Sequence, residues 1–595
     1  MSYPPIENHG IIGDLRTAAL VRNDGAIDFM CFPYFDSPTV FASLLDARKG
    51  GFFQIEPTPG DFHRHQSYRP NTNILDTTFR SAHATAIVSD FMTVEQSGDR
   101  HCLVRRVETV RGEVPFQAVC APKFGYANVG HKVEKKPKGI LFIPNRAAMP
   151  PMLLRASVPL GHANGEARAR FLLRAGQSAW FILEEFSSGL ESADAHWVSR
   201  ALEKTRRYWQ SWVARSTYRG RWQEMVNRSA LTLALLMSKR DGSIVAAPTF
   251  GLPEWPGAGR NWDYRFTWVR DASFALDAFL QLGYTNEARA IMGWLDKRCR
   301  QSIPEKPLQV VYRLNGSRKL SERTLDNLEG YEGSRPVRIG NAACGQLQLD
   351  IYGEFIDAVY LFDQQHKAIS PEFWRHIHRL VEWVCQNWNR VDDSIWEIRN
   401  GALPFLYSRA MCWVTVDRAI KLARRRSFPA PLDRWNSVRE RIHRTFYSTF
   451  WNPKLKSFVQ YHGAKIVDAS MLLLPGVNFI ASSDSRWRLT LKAIEKHLVT
   501  DCFVYRYLPF TSYTGRTASE GTFSACSFWY VEALADANKL VKARSIFEKF
   551  LGHANELGLY AEQLGPQGEH LGNFPQALSH ISLIRAACNL NERLA

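Results

Sequence analysis

The 595-residue chain has no uncharged apolar stretch near the ~20 residues that cross a bilayer, and its best run, Leu231 to Met237, is far too short. That excludes a membrane-spanning helix, and no membrane partner is expected. The start, Met1-Ser-Tyr-Pro-Pro-Ile-Glu-Asn-His9, lacks the basic region, apolar core and small-residue cleavage site of a secretory signal. A cytoplasmic protein is the expectation. Ten cysteines lie scattered from Cys31 to Cys588 with no C-x-x-C pair, which excludes a disulfide framework and a zinc site and predicts buried, reduced thiols. Also missing are G-x-x-x-x-G-K-[ST], H-E-x-x-H, G-x-S-x-G and a G-x-G-x-x-G between a strand and a helix. Phosphate-loop, zincin, serine-hydrolase and dinucleotide-binding readings therefore lack support, and neither a metal nor a cofactor is expected. Glycine (38), proline (29) and charged residues (22%) show no excess, which argues against disordered and fibrous chains.

What is present describes a large globular protein. Hydrophobic residues make up 45% of the chain, enough for a sizeable core, and the length suits either about four small domains or two large ones. Lys and Arg (75) exceed Asp and Glu (58), so the formal charge is 75 − 58 = +17. The basic runs are short, at 131 to 138 (HKVEKKPK), 219 to 221 and 424 to 426, and no nucleic-acid module surrounds them. They read as solvated faces, because charge alone supplies only nonspecific attraction, and no nucleic-acid partner is expected. The 18 Trp and 20 Tyr serve either as core filler or as flat platforms for sugar rings.

Two patterns divide the chain. Up to about residue 190, short β-branched or aromatic runs alternate with Gly, Pro, Asn and Asp, as at 18 to 22, 26 to 32, 85 to 91, 102 to 110, 116 to 120 and 179 to 184. This predicts an antiparallel β-sandwich over 1–190. Helical periodicity starts at Asp194, with Trp197, Leu202, Trp209 and Trp212, and predicts a linker helix within 191–221. Twelve candidate helices follow in 222–595: 222 to 239, 271 to 283, 286 to 300, 346 to 363, 371 to 389, 406 to 425, 431 to 450, 467 to 478, 484 to 498, 522 to 537, 540 to 553 and 573 to 590. The eighth is interrupted by Pro475 and Gly476. Tight turns and longer loops alternate between them, which suggests helix pairs in a double ring with the long loops gathered at one end.

Three loops combine aromatic and charged residues. In Arg260-Asn-Trp-Asp-Tyr-Arg-Phe-Thr-Trp-Val-Arg-Asp271, Asp271 reads equally as a helix N-cap beside an ion pair and as part of a sugar-binding floor with Trp262, Tyr264, Trp268 and Arg270. In Ser394-Ile-Trp-Glu-Ile-Arg-Asn-Gly401, Glu397 either pairs with Arg399 on the surface or lies against Trp396 as a protonated general acid. In Gly558-Leu-Tyr-Ala-Glu-Gln563, Glu562 is either a loop carboxylate or a base. Cleaving a glycosidic bond takes two carboxylates, so the three loops mean more together than apart.

Four segments in this order, N-W-D-Y-R-F-T-W-V-R-D (261 to 271), G-S-R-P-V-R-I-G-N-A-A (333 to 343), W-E-I-R (396 to 399) and Y-A-E-Q (560 to 563), resemble glycoside hydrolase family 15, the family of glucoamylases, glucodextranases and some bacterial and archaeal trehalases. The stretches 6 to 21 and 24 to 33 resemble the N-terminal domain of its trehalase-like branch. The resemblance implies a β-sandwich followed by an all-α (α/α)6 barrel (toroid) that hydrolyses a terminal α-glucosyl bond with inversion. It matches Glu397 to the general acid and Glu562 to the general base, and Tyr264, Trp268, Arg270 and Asp271 to residues holding the nonreducing glucose. Arg335, Arg338, Asn341, Trp396, Arg399 and Gln563 fall near the site by the same matching. Fungal glucoamylases carry a Trp within the segment matching Gly333 to Pro336, and this chain does not, so its leaving-group subsite is expected to differ.

The partner expected is a small-molecule or oligosaccharide α-glucoside, with self-association left open. Trehalose is the favoured substrate, and maltooligosaccharides or other α-glucans are the alternative, since all present the same nonreducing glucose. A non-catalytic carbohydrate-binding protein is the alternative of a different class.

Overall fold

The computed structural model describes residues 3–58, 61–94, 101–187, 193–303, 305–365, 369–399, 401–508 and 520–595. Two antiparallel sheets, each of eight strands, form its first part. Across one sheet the strands run His9–Gly13, Ala18–Arg22, Ala26–Cys31, Phe52–Pro57, Glu113–Ala121, Glu166–Arg174 and Gly161–Ala163, with Thr39–Ala42 also paired to Ala26–Cys31. The other runs His131–Lys136, Gly139–Pro144, Met152–Ala156, Ser178–Glu185, Cys102–Arg111, Thr85–Met92, Leu75–Arg80 and His63–Tyr68. Alternation sets which faces meet: Phe53 of the first sheet packs edge-on against Phe181 of the second, with centroids 6.2 Å apart. A buried ion pair ties the sheets at the same level. Arg105 Nε donates to Asp90, its cross-strand partner, at 2.7 Å, while its other nitrogens reach the carbonyls of Phe53 in the facing sheet and of Gly25 in the turn that precedes the strand Ala26–Cys31.

The linker helix spans Ala195–Val213, with the Asp194 side chain accepting from Trp197 N as its cap. Its buried stripe of Val198, Ala201, Thr205, Trp209 and Trp212 explains the apolar spacing. The expected boundary at 190/191 lies outside the described residues.

Beyond it, five long helices and one short one form an inner ring: Val269–Gln281, Asp350–Gln365, Leu406–Arg426, the 3-10 helix Ala469–Leu473, Ser524–Asp536 and Ala577–Leu594. Each contacts the next, and the last contacts the first, which closes the ring. Thr285–Arg300, Pro371–Asn387, Leu432–Phe450, Ser485–Leu498, Leu540–Leu551 and Gln223–Leu235 back these six in turn from outside. That is an (α/α)6 barrel following a sandwich. The eighth expected helix, 467 to 478, survives only as Ala469–Leu473, for Pro475 and Gly476 end it. The inner helices start at one end of the barrel, and the long loops ahead of them form the wall of a cavity there. All ten cysteines are free.

Candidate active site

The cavity at that end measures about 480 Å³ and is lined by the first two of the three loops, with Trp262, Tyr264, Trp268, Arg270, Asp271, Trp396, Glu397 and Arg399 among its residues, while Glu562 of the third loop lies buried behind Tyr264. Its size falls within the ~300–1,000 Å³ range of small-molecule sites.

Loop 261–271 is tied down by its own polar groups. Asn261 Nδ2 donates to the carbonyls of Ser334 and Pro336, both at 3.2 Å, and Asp263 is held by Arg265 and by Gly340 N at 3.0 Å. Asn341 belongs to this scaffold, donating to Asp263 O at 3.3 Å. Trp268 occupies the N-cap of the helix Val269–Gln281, so Asp271 lies within the first turn instead of at the cap. There it accepts from Arg270 Nε at 3.2 Å, and burial raises its carboxyl against the pull of that guanidinium. Arg270 also donates to Ile395 O at 3.0 Å, which joins this loop to the next.

Glu397 takes a left-handed backbone conformation (φ 56°), as does Ser394 (φ 66°). Such strain in non-glycine residues costs about 1–3 kcal/mol and gathers at functional sites. Here it turns the carboxylate inward, where Oε1 accepts from Trp268 Nε1 at 2.5 Å and lies 3.6 Å from Arg270 Nη2. Arg399 pairs with Glu322, at 2.8 Å, so the surface pairing of Glu397 with Arg399 is not found. Trp396 forms an aromatic wall with Phe523 and Trp529, its indole N–H donating to Asp468 at 2.9 Å.

Glu562 precedes the short strand Gln563–Leu564 and is 1% exposed. Its Oε1 accepts from the Tyr264 hydroxyl at 2.5 Å and its Oε2 from Asn573 N at 3.3 Å. At Gly572 (φ 74°) a Cβ would come within 2.6 Å of Oε2, so only glycine leaves the carboxyl its place. Burial, with the Glu254 carboxylate next, pushes Glu562 up to about 8, against Arg506 and its two hydrogen bonds. Tyr264 and Trp268 stand edge to face, centroids 5.5 Å apart, with one carboxyl group at the outer end of each.

Three expected residues lie outside the cavity lining: Arg335, which is exposed, Gln563, which is fully buried, and Glu562, which reaches the cavity wall only through its hydrogen bond from Tyr264. Arg338 does line the cavity.

Sequence reasoning missed a buried charge cluster in the cavity wall. Arg506 Nη2 donates to Glu254 at 2.7 Å and Glu520 at 2.8 Å, and Arg260 pairs with the same two carboxylates. Against the burial that would raise it, Arg506 and Arg260 hold Glu254 below its ordinary value. Glu254 and Arg506 are 252 residues apart, so no local spacing signals the pair. Among the described residues, no group of three or more His, Cys, Asp or Glu side chains is arranged to hold a metal.

The chain belongs to the glycosyl hydrolases of family 15, whose profile matches residues 220–588 and so spans the barrel. A trehalase-like N-terminal profile matches residues 1–176. Among similar proteins, the trehalase of Thermoplasma volcanium is 35% identical over 100% of this chain and 94% of its own. The trehalase of Mycolicibacterium smegmatis is 34% identical over 99% of this chain and 91% of its own. A bacterial glucoamylase complexed with acarbose shares the fold, with a TM-score of 0.72 at 13% identity over 100% of this chain and 94% of that one. No described helix is long and apolar enough to cross a membrane.

Proposed function

We propose that this enzyme hydrolyses trehalose to two glucose molecules with inversion at the attacked anomeric carbon, Glu397 acting as general acid and Glu562 as general base. The observation that carries this reading is that Tyr264 and Trp268, both in the cavity wall, each hold one of the two carboxyl groups, Glu397 in the lining and Glu562 buried directly behind Tyr264. The choice of trehalose rests on full-length likeness to proteins of that name.

The chemistry follows from the placement. Arg270 and Asp271, 8% and 4% exposed, lie at the cavity floor and offer a donor fork and an acceptor to the hydroxyls of the nonreducing glucose. Fixing that ring lets its binding energy lower the barrier at the anomeric carbon. Glu397, with its side chain 22% exposed, stands where the glycosidic oxygen would pass and donates a proton as that bond lengthens. Glu562 takes a proton from water attacking the opposite face, and water between two separated carboxyls gives inversion. A base works best with a pKa near the working pH, and the raised value of Glu562 suits it to that task.

The test is glucose release from trehalose, maltose, maltotriose, isomaltose and dextran, with the anomer read by NMR at early times. Trehalose should give one α- and one β-glucose, because the leaving glucose keeps its configuration. Release of α-glucose alone would rule out inversion together with the role of Glu562. Glu397→Gln should lower kcat by about 10²–10⁴-fold, the usual contribution of a general acid. Saccharide binding without turnover in the wild-type protein would instead favour a non-catalytic binding protein.

A further inference from the structure

Outward from Glu397 the cavity wall contains a charge assembly that the steps above do not use. Trp262, Arg338 and Arg399 all line the cavity. The guanidinium carbon of Arg399 lies 3.9 Å from the Trp262 ring centroid and that of Arg338 lies 4.8 Å from it, both within cation–π range. Behind them Glu322 anchors both arginines. Arg399 Nη1 and Nη2 donate to its two oxygens at 2.9 and 2.8 Å, a bidentate pair, and Arg338 Nε lies 3.5 Å from it. Ala342 N donates to the same carboxylate at 3.0 Å, and Arg338 Nη1 to Gly259 O at 2.6 Å. Despite the burial that raises it, the hydrogen bonds from Arg399 and Ala342 keep the Glu322 carboxyl below its ordinary value.

Depth in the cavity orders the site. The side chains of Asp271 and Arg270 at the floor are 6% and 10% exposed, whereas those of Arg338, Glu397 and Arg399 are 18%, 22% and 36% exposed. A disaccharide entering with its nonreducing ring first puts its scissile oxygen at Glu397, because the acid must reach that atom. Its second ring then lies on the side of the cavity away from Arg270 and Asp271, where the more exposed Arg399, two residues from Glu397 along the same loop, and Arg338 line the wall. A guanidinium has five N–H donors, and Glu322 engages two of those on Arg399, so the fork is held rigid with donors to spare.

We propose that Trp262, Arg338 and Arg399, positioned by Glu322, form the subsite for the leaving sugar and decide which α-glucoside is cleaved. The proposal rests on the hydrolytic reading above. In trehalose the second glucose is attached through its anomeric oxygen and shows its 2-hydroxyl beside the bond. In maltose it is attached through O4 and shows its 3-hydroxyl and hydroxymethyl group. Fixed planar donors match one spacing of hydroxyl oxygens and leave the other unpaired, and polar sites of this kind discriminate strongly.

The experiment compares kcat/KM for trehalose, maltose and α-glucosyl fluoride, whose leaving group carries no sugar, in Arg338→Lys, Arg399→Lys and Glu322→Gln. Lysine keeps the charge and loses the fork. The expected result is a loss on the preferred disaccharide at least tenfold greater than on the fluoride, with the trehalose-to-maltose ratio moving toward one. Equal losses on disaccharide and fluoride, or an unchanged ratio, overturn the proposal. Melting temperatures identify any variant that unfolds, and Trp262→Phe, which keeps an aromatic platform but removes the indole, then takes its place under the same criteria. Should the wild-type enzyme prefer maltose, the trehalose reading fails, while the same comparison with maltose as the preferred sugar still decides the subsite.

Discussion

Glu562 and its neighbours make the pH dependence an experiment on single residues. Burial and the Glu254 carboxylate raise it to about 8, and a carboxyl group that acts as a base works only in its ionised form. Activity limited by this group should therefore climb as pH rises through about 8, above the usual range for a carboxylate. Glu254→Gln removes a negative charge that disfavours ionisation, so this limb of the kcat/KM profile should move to lower pH. Tyr264→Phe removes a hydrogen bond that favours ionisation, so the limb should move to higher pH. Profiles of the two variants beside the wild type provide the check, and shifts in the same direction would discount Glu562 as the group responsible. At this scale the sequence showed Glu397 and Glu562 through their short motifs. It did not show Glu254 or Arg506, whose meaning comes from a partner 252 residues away.

At the scale of elements, the inner helices hold the ends of the loops that build the site, and one of them carries Arg270 and Asp271 on its first turn, so their spacing sets its geometry. The helices Asp350–Gln365 and Leu406–Arg426 approach closely at Gly353, where a Cβ would lie 2.3 Å from the carbonyl oxygen of Met411. Alanine is the better helix former by roughly 1 kcal/mol, yet the clash is with backbone that cannot rotate away. Gly353→Ala should thus destabilise the fold by about 1–3 kcal/mol, as overpacking does, despite the gain in propensity. Urea denaturation with an unchanged m-value would read this, and a stabilised variant would contradict it. Most helices were legible from their apolar spacing, because each buries one stripe. The inner helix at Ala469–Leu473 was not, since closure of the ring, and not local periodicity, assigns this short 3-10 segment its place.

Over the whole molecule, sandwich and barrel share one hydrophobic core. Arg265, 1% exposed and only one residue from Tyr264, joins them: it pairs with Asp263 at 2.7 Å and donates to Ser37 O at 2.8 Å and Tyr126 Oη at 3.3 Å in the sandwich. The sandwich thereby braces the loop that presents Tyr264 and Trp268. Arg265→Ala would leave Asp263 buried without its counter-charge, and removing one partner of such a pair costs about 3–5 kcal/mol. Denaturation should show that loss, with activity falling alongside it. An Arg265→Ala protein of wild-type stability would refute the bracing role. The same contacts predict that residues 222–595 alone will not give a soluble, active barrel, which expression of that fragment checks.

By itself the sequence determined what local chemistry can encode. Alternation of side chains marks strands, a 3.6-residue period marks helices, and Pro475 with Gly476 marks a weak helix. The order of N-W-D-Y-R-F-T-W-V-R-D, W-E-I-R and Y-A-E-Q pointed to the family and its pair of glutamates. Tertiary structure alone decided which charges meet: Arg399 with Glu322 in place of Glu397, Asp271 inside a helix turn instead of at its cap, Arg335 in solvent, and Glu254 beside Arg506. The physical reason is one of range. Patterning acts over one or two turns of chain, whereas the electrostatics of a buried site are set by groups that only ring closure brings together.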